Sequence, residues 1–217
     1  MAAIFRPRDT FIGRMVLLAA ALMLAFGVGW WWIAPRTDWA RRVGFHVDQP
    51  VPFSHQHHVA GLGIDCRFCH VSVEVSARAG LPLTYTCMTC HSQIWTNADL
   101  LAPVRQSLAN DQPIAWGQVN NLPDYVYFNH SIHISKGVGC SSCHGAIAQM
   151  PLTRKAASLT MNFCLDCHRD PGPQLRPRDA LYDTEWKRTS DTPSPVALMQ
   201  HYGVPNRTLT DCSICHR

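Results

Sequence analysis

The sequence predicts a protein poor in regular secondary structure, mainly short α-helices and loops, behind one N-terminal transmembrane helix. Its 217 residues place all ten cysteines in five C-x-x-C-H motifs, contain 15 prolines and 13 glycines, and carry no charge between positions 15 and 34. Proline and glycine at this density punctuate regular elements rather than extend them.

The motifs are CRFCH at 66–70, CMTCH at 87–91, CSSCH at 140–144, CLDCH at 164–168 and CSICH at 212–216. Two thiols two residues apart, followed at once by histidine, can form two thioethers to a c-type haem and offer an imidazole to its iron. The cysteines Cys66, Cys69, Cys87, Cys90, Cys140, Cys143, Cys164, Cys167, Cys212 and Cys215 are thus predicted to attach five covalently bound haem c groups. His70, His91, His144, His168 and His216 are the proximal iron ligands. A zinc site would consume cysteine pairs two at a time and would not require a histidine after each pair. Disulfides inside C-x-x-C would close tiny rings and staple nothing distant. A thioredoxin-like motif would need a βαβ pattern around a single pair, and none is visible.

Residues 35–217 give each haem about 37 residues, too few to build a separate apolar core around each one. The porphyrins are expected to be the core of a multihaem cytochrome c domain. Ahead of it, MVLLAAALMLAFGVGWWWIA (15–34) has the length of a bilayer's hydrocarbon core at helical rise. Trp30, Trp31 and Trp32 sit at the far end, where amphipathic rings favour the membrane interface. A cleavable signal has a shorter apolar region, so an uncleaved anchor is expected. Arginines flank both ends and do not orient the span. Haem attachment outside the bacterial cytoplasmic membrane does: residues 1–14 are expected in the cytoplasm and 35–217 in the periplasm.

An internal repeat nominates the distal ligands. PFSHQHHVAGLGIDCRFCH (52–70) aligns with YFNHSIHISKGVGCSSCHG (127–145), superposing Phe53 on Phe128, His55 on His130 and His58 on His133. Each copy precedes a second motif, so 53–91 and 128–168 read as duplicated two-haem units, with 169–217 serving the fifth haem. His57 faces Ile132 in this alignment and is expected to be a bystander. Histidines at i and i+3 on a helical turn diverge, so they can serve two neighbouring irons. For the fifth haem, His201 lies as far before Cys212 as His55 before Cys66, on a short helix opened by Ser194 and Pro195 and closed by Gly203. Met150 and Met161 are the alternatives, as thioether ligands or as packing against porphyrin. His46 is expected at the surface.

F-x-H-x-x-H ahead of C-x-x-C-H is similar to the class III multihaem cytochromes c. There the first histidine serves the haem of the motif that follows and the second serves another. The resemblance implies His55 for the haem of Cys66 and Cys69, and His130 for that of Cys140 and Cys143. His58 and His133 are left to the haems at Cys87/Cys90 and Cys164/Cys167 without a decision between them.

Residues 50–217, above all PIAWGQVNNLPDYVYFNHSIHISKGVGCSSCHG (113–145) and LTDCSICHR (209–217), resemble the pentahaem subunit of alternative complex III, a membrane quinol oxidoreductase. The resemblance implies an electron-transfer subunit without catalysis of its own. It would work beside an iron-sulfur subunit and integral membrane quinol-oxidising subunits, passing electrons toward a monohaem cytochrome c or a terminal oxidase. Two other classes are weighed against it: a self-sufficient membrane-anchored multihaem quinol dehydrogenase, and a multihaem reductase of a small molecule. The pentahaem nitrite reductases, which represent the latter, use a C-x-x-C-K motif that does not occur here. No nucleotide loop, nucleophile triad or P-loop is present, and no polybasic run suggests nucleic acid. The formal charge of +4 would fall to about −6 with ten haem propionates ionised. The run ADLLAPVRQSLA (98–109) is expected to form a helix between the two lobes.

Overall fold

A computed structural model describes residues 6–205 and 208–216. The first of two units runs to Val43 and is dominated by α1 (Pro7–Ile33), which no tertiary contact buries. Pro7 stands at its first turn, where a missing N–H leaves no hydrogen bond unmade. The helix begins well before residue 15, taking in Arg8 and Arg14, and its mean hydropathy reaches 2.2. Its 27 residues span about 40 Å at helical rise, enough to cross a membrane.

The second unit begins at Gly44. Its helices are α2 (Cys66–Cys69), α3 (Thr84–His91), α4 (Ala102–Asn110), α5 (His130–Ser135), α6 (Ser141–His144), α7 (Met161–Arg169), α8 (Pro195–His201) and α9 (Cys212–Cys215). Among the described residues there is no named strand, only isolated antiparallel bridges at His46–Arg154, Val126–His216 and Val138–Leu175. Every C-x-x-C pair lies within or at the start of a short helix, because one turn turns residues i and i+3 to the same side and aims both thiols together. Side chains start these helices: Asp65 accepts from Arg67 N ahead of α2, Asn129 from Ser131 N ahead of α5, and Ser194 from Ala197 N ahead of α8.

The polypeptide's own core is small, as the length per motif requires. One cluster joins Val73, Ile134 and Leu181, and a second joins Leu175, Leu198 and Tyr202. The second is tied to the loop after α5: Tyr202 OH donates to Arg176 O at 2.7 Å and Arg176 N to Gly137 O at 2.8 Å. Gly137 has φ +86°, and a Cβ there would run into the Tyr202 ring, so only glycine fits. Residues 98–109 form a 3-10 turn leading into α4, as the sequence suggests. α4 packs on α3, where Thr84 Oγ1 meets Ser107 Oγ at 2.5 Å.

Candidate haem centres

None of the ten cysteines is in a disulfide, and each of the five pairs lies on, or at the start of, its own helix. Four of the five motif histidines donate Nδ1–H to a main-chain carbonyl: His70 to Gly80 O (2.7 Å), His91 to Ile94 O (3.3 Å), His168 to Leu209 O (2.8 Å) and His216 to Tyr125 O (3.1 Å). Such a bond fixes the tautomer, leaving Nε2 unprotonated and the ring aimed for a metal. His144 is the exception, its Nδ1 facing the Asn120 side chain at 3.3 Å.

The repeat histidines are held in the same manner. His58 Nδ1 bonds Ser54 O at 2.9 Å and His133 Nδ1 bonds Asn129 O at 2.7 Å, each to the carbonyl four residues back. His55 uses Thr153 Oγ1 (3.0 Å) and His130 uses Ala77 O (2.8 Å). The phenylalanine of each copy buttresses both rings. Phe53 meets His55 edge-on at 5.0 Å and stacks on His58 at 4.4 Å; Phe128 meets His130 edge-on at 4.7 Å and stacks on His133 at 4.4 Å. The first copy carries its pair on a π-helical turn, Gln56–Gly61, and the second on α5.

Motif and repeat histidines come together in pairs. Ring centres are 6.2 Å apart for His58–His91, 6.4 Å for His130–His144 and 6.1 Å for His133–His168. Two imidazoles binding one iron from opposite sides, with bonds of roughly 2 Å and about 1.1 Å from nitrogen to ring centre, have centres about 6.2 Å apart. His55 stands beside His70: burial first, then the charge of His70, lowers its pKa to about 4. His144 is likewise lowered to about 4 by burial and by His130, and burial lowers His133. Imidazoles kept neutral by burial are competent metal ligands without first losing a proton. The donor set therefore fits haem iron.

Three histidines differ from these nine. His46, His57 and His201 are exposed, and their Nδ1 atoms make no hydrogen bond among the described residues. His57 stacks on Trp95 at 5.9 Å. His201 ends α8 against Tyr202, and no ring contact or hydrogen bond joins it to His216, whose ring neighbour is Tyr125 at 5.9 Å. Met150 is buried, its carbonyl accepting from Gln56 N, and Met161 is exposed at the start of α7. Ring contacts thus pair three motif histidines with repeat histidines, His70 is coupled by charge to His55, and among the described residues His216 has no repeat histidine beside it. Sequence reasoning missed the residues behind the ligands, Thr153 and Asn120, because no pattern marks a hydrogen-bond acceptor so far away in the chain.

Helices bearing paired cysteines, each followed by an oriented imidazole and three of them with a second histidine ring opposite, define a multihaem c-type cytochrome. A family model for cytochrome c7 and related cytochromes c matches residues 126–217. The chain is also 31% identical to the multiheme cytochrome c subunit of menaquinone reductase from Nitratidesulfovibrio vulgaris, over 95% of this chain and 88% of that one. It belongs to that multihaem cytochrome c family, whose cysteines bind c-type haem covalently.

Proposed function

We propose that the chain is the electron-transfer subunit of a membrane quinol oxidoreductase of the alternative complex III type, with five covalent haem c groups and no substrate chemistry at its irons. The opposed imidazoles carry this reading, His58 with His91, His130 with His144 and His133 with His168, and His55 is coupled by charge to His70. An iron with histidine on both sides has no position for a substrate and exchanges only electrons. Bound haem would supply a one-electron couple, and His55, His58, His130 and His133 with their motif histidines would hold four irons from both sides.

On this reading the order is second, first, third, fourth, fifth. His55 and His58 share one turn, so the first two haems are neighbours, and His130 and His133 join the third to the fourth. The first meets the third at residues 181–182, where Cys66 Sγ lies 4.0 Å from Tyr182 O and Cys140 N donates to Leu181 O at 3.2 Å. The fourth meets the fifth where His168 bonds Leu209 O, three residues before Cys212. A chain ordered in this way has its terminal haems at the second and fifth motifs.

The α1 anchor would hold the haem domain at the periplasmic face of the bacterial cytoplasmic membrane. One helix cannot wall in a quinone, which needs a concave site between elements. Quinol would therefore be oxidised on an integral membrane partner, with electrons arriving through an iron-sulfur subunit and leaving to a monohaem cytochrome c or a terminal oxidase. A second reading, favoured by the relative's name, runs the same wire toward menaquinone. Purification from membranes with subunit identification tests the assembly, and soluble quinol tests the role. Inhibitor-sensitive reduction is expected only in the intact complex. Fast reduction of the isolated chain would make it a self-sufficient dehydrogenase, and net electron flow from its haems into menaquinone would favour the second reading.

A further inference from the structure

Asn120 lies in the long connection between α4 and α5, with Nδ2 3.3 Å from Nδ1 of His144. Its Oδ1 is buried and has no hydrogen-bond partner among the described residues. Both facts are out of place. With Nε2 committed to iron, Nδ1 of a neutral imidazole carries the proton, so an amide nitrogen opposite it sets donor against donor. A buried oxygen without a donor is costly as well. An amide placed back to front produces the two signs together, since oxygen and nitrogen are exchanged by a half-turn of the side chain.

We propose that Asn120 orients His144 and tunes the third haem, its Oδ1 accepting the Nδ1–H proton. The sister sites support this. The other four motif histidines each donate to a carbonyl oxygen of the main chain, from Gly80, Ile94, Leu209 and Tyr125. An asparagine carbonyl is the same acceptor carried on a side chain, and with the amide turned the pattern holds at all five motifs. The loop presenting it is pinned nearby: Gln49 Nε2 donates to Gly117 O at 2.8 Å, and Gly117 N donates back to Gln49 Oε1 at 2.7 Å. A residue placed so firmly can hold an imidazole plane, and the His130 and His144 planes are only 11° apart.

The consequence is specific to this haem. Hydrogen bonding behind a ligating histidine raises its basicity and shifts the iron's potential, and here alone among the motif histidines the acceptor is a side chain that substitution can alter. In the order proposed above, the third haem is the middle of the wire, where a change of potential affects transfer in either direction.

The inference rests on His144 being an axial ligand, and the test separates the two. In the full-length holoprotein, checked for five haems by intact mass, Asn120→Asp and Asn120→Leu are compared with the parent by EPR-monitored redox titration at pH 8. The carboxylate strengthens the hydrogen bond and favours ferric iron, so one haem is expected to change its oxidised-to-reduced ratio about tenfold at fixed potential, about 59 mV for one electron. Asn120→Leu removes the acceptor and shifts the same haem the other way. His144→Ala identifies that haem by its loss of low-spin character. If His144→Ala leaves every low-spin signal in place, the axial assignment is lost. If it converts one haem while both Asn120 variants leave that haem at the parent potential, or move it in the same direction, Asn120 has no tuning role.

Discussion

The hydroxyl of Thr153 stands 3.0 Å from Nδ1 of His55, across 98 positions of sequence. The reciprocal contact joins His130 Nδ1 to Ala77 O at 2.8 Å. In each case the leading histidine of one half is held by the segment that follows the C-x-x-C-H of the other half. The two copies of the repeat therefore clasp each other through the atoms that orient their leading histidines.

Thr153→Val removes the acceptor and keeps the shape. Loss of one half-buried hydrogen bond is expected to cost about 1 kcal/mol, read by denaturant titration of the holoprotein. The low-spin signal of one haem shifts, while the haem count by mass stays at five.

Ligand planes give the haems distinguishable spectra. Parallel planes split the iron d orbitals strongly and twisted planes leave two of them nearly degenerate. His130 and His144 are 11° apart, whereas His58 and His91 are 64° apart. Ferric EPR is expected to show a rhombic signal lost in His130→Ala and a large-g, highly anisotropic signal lost in His58→Ala. His57→Ala leaves both, since among the described residues the His57 ring meets Trp95 and the edge of His58.

At the fifth site, His201→Ala is expected to leave all four bis-histidine signals intact, because His201 contacts none of their ligands. Magnetic circular dichroism of the fifth haem then reports its distal ligand directly. Conversion of that haem to high spin assigns His201, and a methionine-to-iron charge-transfer band assigns a thioether.

Gly137→Ala places a Cβ against the Tyr202 ring at φ +86°. The combined strain and overpacking are expected to cost about 2 kcal/mol or more, seen as a lower midpoint in denaturant titration. Gly61, which has negative φ and open space apart from Gln56 O at 3.5 Å, should tolerate the same change.

Much of the site was legible in the sequence, because c-type haem attachment is written in contiguous residues. Five C-x-x-C-H motifs name ten thiols and five imidazoles, and the Phe-x-His-x-x-His repeat separates His55 and His58 from His57 by alignment alone. The short helices followed from the same spacing, and the ends of α8 from the capping signals Ser194, Pro195 and Gly203. His201 was less legible. Its offset from Cys212 copies that of His55 from Cys66, yet it is exposed at the end of α8 beside Tyr202. Offset along the chain does not determine distance where no helix or strand spans the gap.

By itself the sequence determined the family chemistry, the internal sequence repeat and the apolar length of the N-terminal helix, all properties of local spacing and composition. Only the tertiary structure decided that His58 faces His91 and His133 faces His168, which the motifs left open. It alone found Thr153 and Asn120 behind His55 and His144. The physical reason is that a histidine's partner and the acceptor behind it are chosen by through-space approach at hydrogen-bond range. In a chain of short helices and long loops, that approach depends on how the whole domain closes.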